Sequence, residues 1–165
     1  MRPKLNIFNS SFQEAHQFIF TEAPIDIVAE LALEWGTPLW WPKTCPLEFI
    51  ASDNIPLREN KFYTLQIQGV YPLRCRAQVT KHIPDRCVEL TFTTGIFEGQ
   101  EKITLEERSN GTRIDHEIRY RIRGILNQIL WHGLYARQYE RWINSILLTI
   151  KEFSEKIYAE RQETV

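Results

Sequence analysis

The part of this chain that most restricts its fold is the last third. Over 112–122, Ile114, His116, Ile118, Tyr120 and Ile122 alternate with Arg113, Asp115, Glu117, Arg119 and Arg121, and one long amphipathic stretch follows over 126–158. A period of two belongs to a strand with one wet face, and a period near 3.6 to a helix with one apolar stripe. Tyr139, Trp142, Ile143, Ile146, Ile150, Phe153 and Ile157 recur at i, i+3 and i+4 and make that stripe. A helix of this kind must bury its stripe against another layer, so the order predicts a curved sheet gripping a helix. Gly133 interrupts the helix early. It costs about 1 kcal/mol relative to alanine there, and it marks a kink or a close approach of another element.

Upstream, residues 12–20 alternate, with Phe12, Glu14, His16, Phe18 and Phe20 on one face of a strand. Pro24 is placed to open a helix, and Ile25, Val28, Leu31 and Ala32 follow at helical spacing. Gly36, Thr37 and Pro38 interrupt it, and Trp40-Trp41-Pro42 closes the segment, which reads as two short helices after the first strand. Apolar runs then occupy 47–51, 62–67, 73–79, 88–92 and 103–105, the last inside a longer alternating stretch. Turn residues separate them at 52–56, 69–72, 84–85 and 95–99. Ser109-Asn110-Gly111 is a hairpin signal, because Asn and Gly tolerate positive φ. With no linker, repeat or low-complexity run, the chain reads as one α+β domain over 1–165. Its core spans about 12–158, and a polar tail over 160–165 is expected to fray.

The 165 residues carry a net charge of -1, so no basic field steers the chain toward nucleic acid. Five Trp, six Tyr and nine Phe suit a core or the lining of an apolar pocket. Cys45, Cys75 and Cys87 are odd in number and show no short paired spacing, which argues against a disulfide framework or a zinc site. Residues 1–8 lack the apolar core of a signal peptide, and no run approaches the roughly 20 apolar residues of a membrane span. The expectation is a cytoplasmic protein with reduced thiols and no stable membrane insertion. No phosphate-binding loop, GxGxxG, HExxH or GxSxG arrangement occurs, so neither a metal nor another cofactor is expected.

A strand, short helices, five or six hairpin strands and a long helix, in that order, resemble the helix-grip fold of the START/Bet v 1-like (SRPBCC) superfamily. The nearest likeness is to its polyketide cyclase/dehydrase and lipid-transport branch. The residues that carry it are Ala23-Pro24-Ile25-Asp26-Ile27-Val28, Trp40-Trp41-Pro42, Gly69-Val70-Tyr71-Pro72-Leu73-Arg74, Gly95-Ile96-Phe97-Glu98-Gly99 and Gly111-Thr112-Arg113-Ile114. They span nearly the whole chain, and their order and spacing are more specific than any one of them. The resemblance implies an antiparallel sheet of about seven strands with an apolar cavity between it and the helix. It implies little about chemistry, because the superfamily holds carriers, receptors and cyclases.

His116 is the sharpest candidate residue, set between Ile114 and Ile118 on the apolar face of the last strand. An imidazole there can act as an acid or base or orient a ligand carbonyl, although a core histidine paired with a neighbour is the commoner case. Tyr120 shares the face and can assist. Glu101 falls on the side of Ile103 and Leu105. It is either solvated at the open end of its strand, the simpler expectation, or buried and paired with His116 as an acid/base couple.

Alternation also turns Tyr63, Leu65 and Ile67 inward, and likewise Leu73, Cys75, Ala77 and Val79. The small Cys75 and Ala77 leave room for a cavity floor, or for a tight contact with the helix. Leu90 and Ile118 on the strands, with Trp131, Tyr135, Tyr139 and Trp142 on the helix, complete the expected ligand-binding lining. Trp35, Trp40 and Trp41 cluster near the short helices and, by the resemblance, cap the mouth of the cavity. Two adjacent tryptophans do not easily bury on one face, so one of them is expected to meet solvent or ligand. Arg137 and Arg141, beside Glu140, read as a solvated helix face.

Three functions compete. The first is binding or transport of a hydrophobic small molecule: a lipid, isoprenoid or polyketide-like compound. The second is a cyclase- or dehydratase-like enzyme with His116 as acid/base. The third is a protein-interaction module acting through exposed aromatics near Trp40 and Trp41 or through the last helix. The sequence leaves ligand identity and oligomeric state open.

Overall fold

The computed structural model describes residues 11–36 and 39–163. Strand β1 (Gln13–Thr21) leads into helix α1 (Ile25–Ala32). Six strands follow: β2 (Leu47–Ala51), β3 (Phe62–Ile67), β4 (Leu73–Ile83), β5 (Cys87–Gly95), β6 (Phe97–Arg108) and β7 (Gly111–Ile122). The chain closes with α2 (Ile125–Leu130), a π-helical turn over Trp131–Tyr135, and α3 (Ala136–Glu163). The seven strands form one antiparallel sheet in the order β1-β7-β6-β5-β4-β3-β2. After β1, each strand pairs with the next in sequence, as hairpin connections dictate, while β1 docks against β7.

Register slips in the β4–β5 pair, between Arg76 and Ala77 and between Val79 and Lys81, bend the sheet. The concave face takes the apolar half of each alternating strand. Leu65, Ile67, Ala77, Val79, Leu90, Ile103, Ile114 and Ile118 are each at most 2% exposed. On this face lies α3, which buries Tyr139, Ile143, Ile146, Leu147, Ile150 and Ser154. The seam is thus rotated from the expected stripe. Phe153 is 39% exposed, and Leu147 and Ser154 take inward positions. Ser154 is there for its hydroxyl, which bonds Thr21 Oγ1 of β1 at 2.9 Å and donates to the Lys151 carbonyl. The convex face carries the charged half of the strands, and there Arg113 and Arg119 lie over the exposed rings of Phe18 and Phe12, at 4.2 and 4.7 Å.

Two expectations need correction. One short helix, not two, follows β1 among the described residues, because after Ala32 the chain turns rather than starting a second helix. The break expected at Thr37 and Pro38, the N-terminal stretch 1–8 and the last two tail residues lie outside the described residues. The tail over 160–163 is helical rather than frayed, and Arg161 is drawn toward Asp26 and Glu30 of α1, at 3.5 Å from each. At the β6–β7 hairpin the positive φ falls on Gly111 (φ 144) and not on Asn110; a Cβ on Gly111 would strike the Thr21 carbonyl. Gly133 makes no close approach: it sits in the π-helical turn, and a Cβ built on it meets nothing within 4 Å.

Candidate functional site

β6 and β7 set the site. Glu101 lies opposite Ile118 and Ile103 opposite His116, so Glu101 and His116 are diagonal neighbours on the concave face. His116 Nε2 and Glu101 Oε1 are 2.7 Å apart, and the side chains are 2% and 0% exposed. The solvated position for Glu101 is therefore wrong. Its strand continues far enough past it, to Phe97, that its carboxyl falls in mid-sheet under the helix layer. The second carboxyl oxygen, Oε2, is buried without a hydrogen-bond partner. Leaving such a group unpaired costs about 1–3 kcal/mol or more.

Trp35 roofs the pair. Its ring stacks on the His116 imidazole at 5.7 Å with an interplanar angle of 17°. The turn that delivers it needs Gly36 (φ 83), where a Cβ would strike Phe49. Trp35 also packs edge-on against Trp40, Trp41 and Phe49 at 5.3–6.2 Å. Trp35 and Trp40 are 3% and 2% exposed, and Trp41, partly buried, donates its indole N–H to the Leu47 carbonyl at 2.7 Å. The adjacent pair thus resolves by a tilted contact, with Trp40 buried and Trp41 partly open to solvent. This weakens one of the two bases of the interaction-module expectation, exposed aromatics at Trp40 and Trp41; the other, the last helix, is untouched by it. The indole Nε1 atoms of Trp35 and Trp40 are buried without partners.

Tyr139, from α3, brings a further unpartnered polar atom into the interior. Its hydroxyl is buried, and it is held well above the ordinary tyrosine range by burial first and by the negative charge of Glu101 second. Cys75 is likewise pushed up by burial, then by Glu101, so its thiol is a filler and not a nucleophile. Tyr63 is pushed up to about 12 by burial and by Glu34 and Asp53.

Tyr120 does not join His116. The two share a face but stand four residues apart, about 13 Å along the strand. The Tyr120 hydroxyl instead accepts the Trp131 indole N–H at 3.3 Å. Phe97, Tyr120, Trp131 and Tyr139 form a ring-on-ring cluster with centroids 4.9–5.6 Å apart. Trp131 and Tyr120 thus fill the space under the π-helical turn. Tyr135 donates its hydroxyl to the Tyr71 carbonyl at 3.0 Å, which ties that turn to the β3–β4 loop, and Trp142 packs at the edge of the core. Arg137 and Arg141 are exposed, as expected of a solvated face.

A cleft of about 520 Å³ opens between the turn after α1 and the β2–β3 hairpin, lined by Glu34, Trp35, Phe49, Asp53, Lys61 and Tyr63 among others. Trp35 therefore stands between this cleft and the Glu101–His116 pair. A second groove, about 550 Å³, runs over charged residues of the convex face such as Glu14, Lys102, Glu117 and Arg119. It borders Glu101, but the Glu101 side chain, 0% exposed, points away from it. Among the described residues, no group of three or more His, Cys, Asp or Glu side chains is placed to hold a metal ion, and no helix is long and apolar enough to cross a membrane.

Sequence reasoning named Glu101 and His116 as a possible couple. It missed the stack of Trp35 on His116, which depends on a loop far away in sequence and leaves no periodic signal.

No family model and no curated protein matches the chain. Solved structures do. Ara h 8.0201 superposes with a TM-score of 0.64 at 10% identity, over 87% of this chain and 98% of that one. TTHA0849 from Thermus thermophilus gives 0.67 at 14% identity, over 86% and 97%. The Zhui aromatase/cyclase from Streptomyces sp. R1128 gives 0.63 at 12% identity, over 88% and 94%. With its seven-stranded curled sheet closed over a long C-terminal helix, the chain has the Bet v 1-like helix-grip fold that these structures share.

Proposed function

We propose that this chain is a single small-molecule-binding domain, over 1–165, that takes an apolar ligand between its sheet and its C-terminal helix. A lipid, isoprenoid or polyketide-like body suits that interior. The observation that carries the reading is a half-satisfied polar pair, Glu101 with His116, in a mainly apolar interior, one indole away from an open cleft. A buried charge-bearing group with a spare acceptor is costly for stability alone and useful for fixing a ligand. Movement of Trp35 would join the cleft to the pair. Three free thiols accord with a reducing cytoplasm as the place of action.

The 2.7 Å contact favours a second reading, a cyclase- or dehydratase-like enzyme. There Glu101 orients the imidazole through Nε2, and Nδ1 is the atom that gives or takes the ligand's proton. The aromatase/cyclase among the similar structures is in keeping with it. On this reading Tyr120 is no assistant, because it is bound to Trp131.

The test is native mass spectrometry of gently purified protein, followed by solvent extraction of whatever is bound. The expected result is an adduct that extracts as an apolar compound. Protein that arrives empty and also fails to brighten the neutral dye N-phenyl-1-naphthylamine would overturn the binding reading.

A further inference from the structure

Among the described residues five buried side-chain polar atoms have no hydrogen-bond partner; Gln17 Oε1 lies on β1, and the other four, on residues of the core, are Glu101 Oε2, Tyr139 Oη, and the Nε1 atoms of Trp35 and Trp40. These four residues are all at most 3% exposed. Glu101, Trp35 and Trp40 are linked through His116 by direct contacts. Glu101 holds His116, Trp35 stacks on His116, and Trp40 packs on Trp35 at 6.2 Å. Tyr139 faces the same interior from α3 and lies within the electrostatic reach of Glu101.

The chemistry of these atoms is asymmetric. An indole N–H only donates, and a phenol does both. As a carboxylate bound to His116 through Oε1, Glu101 presents Oε2 as an acceptor. The set therefore asks for at least one donor and at least one acceptor from whatever enters. A carboxylate or phosphate brings only acceptors and sets a second negative charge beside Glu101, where little water screens it. An ammonium can pair with Oε2 but, bringing only donors, leaves both indoles unpaired.

We infer that the space around Glu101, Tyr139, Trp35 and Trp40 receives the uncharged head of an apolar ligand, a hydroxyl or primary amide that both donates and accepts, and rejects anionic heads. This rests on the binding reading above and adds the class of head group to it.

The experiment is displacement of N-phenyl-1-naphthylamine by four compounds that share one tail: octan-1-ol, octanamide, octanoate and octylammonium. Octanol and octanamide are expected to displace the dye at concentrations about tenfold lower than octanoate or octylammonium, the scale set by leaving a buried polar group unpaired. In Glu101→Gln, octanoate should gain on octanamide, because the opposing charge is gone; a merely structural role would weaken all four alike. Tyr139→Phe, which removes one oxygen and keeps the ring, should weaken octanamide severalfold relative to octanoate. Octanoate matching octanamide in the wild type, octylammonium binding first, or an unchanged ratio in Glu101→Gln would each overturn the head-group assignment while the binding reading stands. No dye uptake by the wild type would overturn both.

Discussion

Replacing either Glu101 or His116 by leucine should destabilise the protein far more than replacing both. The pair is fully internal, with side chains 0% and 2% exposed, and is joined by a single 2.7 Å contact. Removing one member leaves the other desolvated and unpaired, which costs about 3–5 kcal/mol in buried ion pairs. In a chain of this size each kcal/mol moves the melting temperature by about 2–4 °C, so each single variant should melt roughly 6–12 °C or more below the wild type. The double variant removes both polar groups and with them the unpartnered Oε2, which already weighs against the wild type. Its stability should fall within about 1–2 kcal/mol of the wild type, on either side. The coupling energy read from the cycle should then reach at least about 4 kcal/mol. Urea unfolding followed by far-ultraviolet circular dichroism, with slopes compared across the four proteins, measures it directly. Singles that cost under about 1 kcal/mol, or a double that costs the sum of the singles, would refute the reasoning. A double variant as stable as the wild type would mean that folding does not require the pair, and would leave ligand handling as its reason to be there.

Two further outcomes are expected. Gly133→Ala should raise stability by about 0.5–1 kcal/mol, because the residue is helical, its added Cβ meets nothing within 4 Å, and the gain is that of helix propensity alone; thermal melts check it, and a lower melting temperature would show that the π-helical turn needs glycine. Burial pushes the Asp115 carboxyl up, but the Arg113 guanidinium and the His16 ring more than offset it, so its net shift is down from 3.8. A depressed carboxyl contributes stability that is present above its unfolded value and is lost as pH falls through the folded one. Urea midpoints in Arg113→Met should therefore converge on the wild type below about pH 3.8 and lie beneath it above.

Much of this fold was legible because strands and helix each carry an unbroken period. Ile114 to Ile122 and Tyr63 to Ile67 all point inward as alternation requires. Strand ends were less legible. β4 runs on through Thr80, Lys81 and His82, and β6 starts at Phe97, because pairing with a neighbouring strand carries polar residues that have no apolar signal of their own. The helix seam was read one step off, since Phe153 outranks Ser154 in hydropathy while only Ser154 can answer Thr21. Within the site, the approach of Glu101 to His116 follows from two alternating strands in one hairpin. Tyr120 was misjudged because sharing a face does not mean sharing a place. The Trp35 stack and the unpartnered hydroxyl of Tyr139 depend on tertiary placement, which no local pattern encodes.

The way α3 meets β1 has a consequence for how copies of this chain meet one another. β1 and β2 are the two outer strands of the sheet, where unsatisfied backbone groups invite a neighbour to add on. Lys151 of α3 donates to the Phe20 carbonyl at 3.1 Å, and Glu155 accepts the Glu22 N–H at 3.1 Å, just past the end of β1. The helix thus stands as a guard rail along that end of the sheet, and another strand can reach it only after α3 lifts. The opposite border, β2, offers five residues. Stacking of copies into a growing ribbon needs two open borders per molecule. While α3 stays seated, this chain withholds part of one of them.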